Sequence, residues 1–149
     1  MEQERLTINI GKMFKIFLIM LVALFIGFVL VFVIKIQVDG RNALRQAKNV
    51  KLALRAADIQ MYGKGTSIYD PSERYGLREG ADEKVNELYT PQGKYRITSY
   101  DSKKHELTGF IYEVGRYTVT YDQDGNKVKW DVDIRYNIYS FREDIVNDE

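Results

Sequence analysis

The stretch VFVIKIQVDGRNALRQAKNVKLALRAADIQMYG, residues 31–63, decides how this chain is put together. It begins inside a run suited to lipid and ends in a pattern suited to a helix lying on a protein core. A single Asp-Gly stands between the two. Either one helix passes from one environment into the other, or an anchor is tied to a separate domain.

Upstream, Ile16 to Ile34 (IFLIMLVALFIGFVLVFVI) is a run of 19 residues without a charge. At about 1.5 Å per residue it makes roughly 28 Å of helix, close to the hydrocarbon thickness of a bilayer. Lys15 and Lys35 bracket the run and can reach the headgroups. A core helix of a soluble protein would be shorter and less uniform. A cleaved secretory signal has an apolar core of about 7–15 residues that ends at a small-residue site. Here KIQVDGR follows instead, so the segment is expected to stay attached. Within it, Ala23 and Gly27 form a small-xxx-small pair that would let another helix approach closely; lipid-facing filler is their plainer role.

Orientation rests on two opposed arguments. Arg5, Lys12 and Lys15 precede the span, while Lys35, Arg41, Arg45, Lys48 and Lys51 follow it. Counting basic residues alone would place the C-terminal part in the cytoplasm. A large folded domain, however, is often exported whatever its flanking charge, and the first group sits on a short tail. The expectation is a cell-membrane protein with its C-terminal domain outside.

Downstream, Ala43, Ala47, Val50, Leu54, Ala57 and Met61 recur at helical spacing and form one apolar stripe, with Arg41, Arg45, Lys48, Lys51 and Arg55 on other faces. Gly63 supplies the residue type favoured just past a helix end. Gly40 costs a helix interior about 1 kcal/mol relative to Ala, and no Pro occurs before position 71. A continuous helix from about residue 14 to 62, kinked at Asp39-Gly40, is the expectation; a new helix capped by Asp39 is the alternative. The stripe either packs on the protein's own sheet or turns partly toward neighbouring copies, with Ala43, Ala47, Val50 and Leu54 as helix–helix contacts. The basic residues read as a solvated face, or as a contact with anionic headgroups.

TSIYDPSERYGLREG reads as a surface loop, and ADEKVNELY (81–89) as a short helix with early acids, broken by Thr90-Pro91-Gln92-Gly93. From Lys94 the period changes to two. KYRITSY, HELTGFIYEV, GRYTVTY and KVKWDVDI read as four strands, with RYNIYSF a candidate extension of the last before an acidic tail. Alternation of Val128, Trp130 and Val132 against Lys129, Asp131 and Asp133 marks one buried and one wet face. Trp130, Val128, Val132, Tyr117 and Val119 are the expected core.

The fold expected is therefore α+β: an N-terminal transmembrane helix extends into a long amphipathic helix packed on a four-stranded antiparallel meander. The divisions are a tail (1–15), the transmembrane helix (16–34), a helical extension (35–63) and the remainder (64–149), which joins the extension in one domain.

Chemistry is sparse. Net charge is +1, from 22 basic and 21 acidic residues, which gives no polycationic signature for nucleic acid. Cys is absent and His105 is the single histidine, so thiolate and histidine-rich metal sites are not offered. Asp122-Gln123-Asp124-Gly125-Asn126 clusters oxygen ligands, but lacks the alternating ligands and terminal Glu of a calcium loop; Asp-Gly between strands signals a hairpin. Asp131 and Asp133 share a strand face without a partner base. No nucleophile motif or phosphate-binding Gly loop is present, and the expectation is a non-enzyme without a cofactor. The tyrosine-rich strands either pack across the sheet or line a sugar or peptide groove.

A short basic N-terminus, one apolar helix, a helical extension with small residues and then an antiparallel sheet resemble the architecture of type IV pilins and pseudopilins. The resemblance implies that the long helix anchors the subunit before assembly and then forms a filament core under a sheet. The family's cleavage mark, Gly followed by Phe-Thr-Leu-Ile-Glu, has its nearest counterpart at Gly11 before Lys12-Met13-Phe14, and the apolar run holds no Glu. Two functions follow as expectations. One is an envelope-assembly subunit that meets the lipid bilayer, its own copies or assembly proteins. The other is a tethered binding or sensory domain that works as a monomer.

Overall fold

The computed structural model describes residues 10–135. An extension of the last strand toward Phe141, and the acidic tail, lie outside the described residues, as does Arg5. Helix α1 spans Ile10–Tyr62 and passes Asp39-Gly40 without interruption. Chain contacts divide into two units, one up to Asp39 and one from Gly40 onward.

In the first unit, every side chain from Gly11 to Lys35 is exposed. This helix segment has an apolar surface on all sides, the condition of a helix whose surroundings are themselves apolar.

In the second unit, α1 carries its stripe onto the sheet. Ala43, Ala47, Val50, Leu54 and Ala57 are buried, and Met61 is half-buried against the same cluster. Four strands follow, β1 (Lys94–Asp101), β2 (Glu106–Val114), β3 (Tyr117–Asp124) and β4 (Lys127–Ile134), in an antiparallel meander ordered as in the sequence. Alternation puts Ile97, Phe110, Tyr112, Tyr117, Val119 and Tyr121 on the covered face, and a register shift in the β1–β2 pairing brings Leu107 onto it as well. The small residues of α1 let these large rings come close, so the bulk of the core is supplied by the sheet. The β3–β4 hairpin turns in two residues, with Asp124 paired to Lys127 and Gly125 at φ 56, a backbone angle that glycine adopts without strain.

The covered face extends less far than alternation implies. Tyr117 and Val119 are buried, but Val128 is 53% and Val132 37% exposed, and Trp130 is half-buried. The expected core membership of Val128 and Val132 is corrected for a simple reason. β4 is the sheet's last strand, so its side chains lack neighbours on one side. Trp130 still packs edge-on to Phe110 (5.9 Å between ring centres) and against Tyr121 (4.8 Å).

Residues 66–80 are also more than a surface loop. Ile68 is buried, Tyr69 and Leu77 bridge, and the Ile97 N–H donates to the Tyr75 carbonyl at 2.9 Å, so the segment lies along the outer edge of β1. Gly76 (φ 66) permits the approach, since a Cβ there would stand 2.7 Å from the Ile97 carbonyl. Helix α2 (Ala81–Leu88) closes this end, burying Ala81 and Val85.

Candidate functional site

Two surfaces stand out, one in each unit. The first is the exposed apolar segment of α1. Its large side chains range from 41% exposed at Val29 to 71% at Phe28. A side chain added at Gly27 would meet nothing within 4 Å, and Ala23, one turn earlier, is exposed as well. This small-residue face is free for a lipid or another helix. The remaining expected helix–helix contacts are not: Ala43, Ala47, Val50 and Leu54 are covered by the chain's own sheet. That expectation is corrected, because the stripe has its partner within the chain.

The second surface is a groove of about 590 Å³ beside β1, formed by the 73–80 segment, α2 and the start of the strand. Tyr75, Leu77, Pro91 and Tyr95 give it apolar walls, and Arg74, Arg78 and Lys94 bring positive charge. Glu73, Glu79 and Asp82 stand in the same lining. Tyr95 donates its hydroxyl proton to Asp82 at 2.6 Å; burial first, and this bond second, push the phenol's pKa upward. Arg78 Nε is buried with no hydrogen-bond partner. A buried N–H left unmade is costly, so it is a donor in want of an acceptor. A smaller hollow of about 380 Å³ shares Arg74, Tyr75, Lys94 and Tyr95 and continues over Arg96, Ile111 and Glu113.

Polar links fix α1 to the sheet in the second unit. Asp58, buried in the last turns of α1, accepts from the Ile68 N–H (3.0 Å) and the Tyr100 hydroxyl (2.8 Å). Burial, with the Asp58 carboxylate opposing ionisation, pushes Tyr100 up to about 12. Tyr112 donates to Gln46 at 2.8 Å. Lys51 donates to the Tyr121 hydroxyl at 2.5 Å with its ammonium 3.8 Å from the ring centre, and Lys48 stands 5.8 Å from the Trp130 ring centre. Arg41, Arg45, Lys48 and Arg55 are exposed and Lys51 is half-buried, and of these the two lysines stand over aromatic rings of the sheet.

The weaker sequence candidates take structural places. Asp122–Asn126 is the end of β3 and its turn. Asp131 pairs with Lys129 at 2.5 Å on the outer face of β4. His105 is exposed, with φ 50, and its ring lies 4.2 Å from that of Tyr62. The groove itself was not legible beforehand. Its residues come from a loop, a helix and a strand, and only a cluster of Tyr, Arg and Gly in TSIYDPSERYGLREG hinted at it.

Comparison of the chain with protein-family models, with curated proteins and with solved structures gave no match.

Proposed function

We propose that the chain is a single-pass membrane protein, anchored by residues 16–34, and a non-enzymatic subunit of a pilin-like or cell-envelope assembly with its α+β unit outside the membrane. The observation that carries this reading is α1. It is one helix, apolar and exposed on all sides in its first part and covered on a single stripe in its second. A soluble protein would have to cover so large an apolar surface. The order of elements, a long apolar helix followed by a four-stranded antiparallel sheet, is the order that the pilin resemblance implies. With the stripe of residues 43–54 occupied, contact between copies in the membrane falls to the Ala23–Gly27 face.

Because the chain has no Cys, single cysteines report cleanly. A23C and G27C are expected to crosslink to neighbouring copies in whole membranes, and N126C to react with a membrane-impermeant thiol reagent on intact cells. Labelling of N126C only after lysis would reverse the orientation. Absence of any crosslinked species at 23 and 27 would leave the second reading, a tethered binding module acting as a monomer. That reading is favoured by the groove at β1, where the unpartnered Arg78 Nε stands among tyrosines and further cations.

A further inference from the structure

The two edges of the sheet are treated differently. The β1 edge is covered by the 66–80 segment, through the Ile97–Tyr75 hydrogen bond. The β4 edge has no strand beside it among the described residues. In the two-residue hairpin, Asp124 faces Lys127, and the same phase continues to Arg135, whose N–H donates to the Arg116 carbonyl at 2.7 Å. Odd-numbered residues of β4 thus turn their backbone groups toward β3. Those of Val128, Trp130 and Val132 point out at the open edge. An eight-residue strand with open backbone groups and half-exposed apolar side chains is a template for another strand.

We propose that this edge receives β4 of a second copy of the chain, paired antiparallel about Trp130. The argument is charge order. The strand reads KVKWDVDI, and KVKWDVD is a palindrome in which Lys on one side answers Asp on the other. With Trp130 opposite its own counterpart, Lys129 faces Asp131 of the other copy, Lys127 faces Asp133, and Val128 faces Val132. Directly opposed residues share a sheet face, so the ion pairs lie on the outer face and the valines on the covered one. The residues brought opposite, 128 to 132 and 130 to 130, are those whose backbone groups are open, so each such pair exchanges both hydrogen bonds.

Other registers fail. A slip of two residues sets Lys129 against Lys129 or Asp131 against Asp131, and a parallel pairing in register sets every charge against its like. The usual defence of an edge is charge that repels a copy of itself. Here the charges are ordered to attract one. In the single chain Lys129 is held by its own Asp131, with both side chains well exposed, 72% and 48%. Pairing therefore exchanges one carboxylate for another without burying a lone charge. The contact is isologous, closing a pair rather than a chain of copies. It goes beyond the assembly reading and does not depend on the anchor.

The test uses the full chain in detergent micelles, with self-association read by sedimentation and by energy transfer between labelled copies. D131K/D133K faces Thr120 and Thr118 on β3 and gives up the exposed Lys129–Asp131 pair; K127D/K129D, made together with D122N/D124N because its new carboxylates would otherwise face Asp122 and Asp124, is the complementary variant. Each alone turns every cross-copy ion pair into a repulsion and is expected to dissociate roughly a hundredfold more readily than wild type. An equimolar mixture of the two restores Lys–Asp pairs and is expected to associate as wild type does. The fourfold reversal K127D/K129D/D131K/D133K, made with D122N/D124N for the same reason, restores a Lys–Asp order along the strand and is expected to recover self-association, and this keeps the test decisive should one partial variant fail to fold. Wild-type chains that stay monomeric, partial variants that associate as well as wild type, or a mixture no better than its components would each overturn the proposal. The second of these outcomes would place any contact elsewhere, such as Ala23–Gly27, and leave the membrane reading standing.

Discussion

From Met13 to Ile34, α1 bears Leu, Ile, Val, Phe and Met on every side, and all of them are exposed; from Ala43 to Met61 most of its apolar residues fall on one side and are covered, with Leu52 and Ile59 left bare on the other. The first segment has large side chains and no protein over them. The second has mostly small ones along its covered stripe, Ala47, Val50 and Ala57 fully buried under a sheet that carries Phe110, Tyr112 and Tyr121. The contrast teaches that apolar character by itself does not say what covers a helix. Its angular distribution does. An all-round surface calls for an apolar solvent, and a stripe calls for a protein face.

The sharpest way to break this comparison is to put charge into the first segment. L24K/I26K costs about 2.5–3.5 kcal/mol per lysine at a bilayer centre, so the double variant is expected in the supernatant after an alkaline wash of membranes. Retention in the pellet would mean that residues 16–34 are not the anchor.

Next come two leucines in one turn of the second segment. Leu54 is 1% exposed and Leu52 66%. Leu54→Ala is expected to lose about 2–5 kcal/mol, and Leu52→Ala no more than about 0.5 kcal/mol. Urea unfolding of the full chain in detergent, followed through the single Trp, Trp130, measures both. Equal midpoints would erase the distinction between covered and bare faces.

Asp58, the charged side chain buried in that segment, tests the polar links. Asp58→Ala strands the Ile68 N–H and the Tyr100 hydroxyl, at an expected cost of about 1–3 kcal/mol in the same assay. The network also has a pH signature. The Tyr100 pKa is raised on folding from about 10 to about 12. Its contribution is therefore complete below about pH 10 and declines as pH rises toward the folded value, because the unfolded chain ionises first. Tyr100→Phe is expected to lessen that alkaline decline in unfolding midpoint. Tyr95, shifted in the same direction, keeps part of it.

The smallest effect belongs to the junction. A Cβ at Gly40 would stand 3.6 Å from Tyr117 Cε1 and 3.9 Å from Val132 Cγ1, ordinary contact distances. Gly40→Ala is accordingly expected to stabilise the second unit by up to about 1 kcal/mol. A loss would show that glycine is needed there for more than helix propensity.

Much of the fold was legible because it rests on local periods. The 3.6-residue stripe and the two-residue alternation located α1, α2 and all four strands within a few residues, and Asp-Gly marked the last hairpin. The 66–80 segment was misjudged because turn-rich composition reports local chain reversal, whereas burial of Ile68 depends on Asp58, ten residues earlier in the helix. The groove escaped for a similar reason: its walls come from three elements whose proximity no spacing encodes.

The sequence by itself determined which residues suit lipid, which face of each element is apolar, and where the chain turns. These follow from side-chain chemistry and backbone period, both local properties. Only the tertiary structure decided how deeply each apolar face is buried. Val119 and Val132 stand opposite each other in the register, yet the first is fully buried and the second 37% exposed. Alternation fixes the side of the sheet on which a residue lies but not its distance from the sheet's edge. That distance depends on strand order, and strand order is settled by which elements meet once the chain has folded.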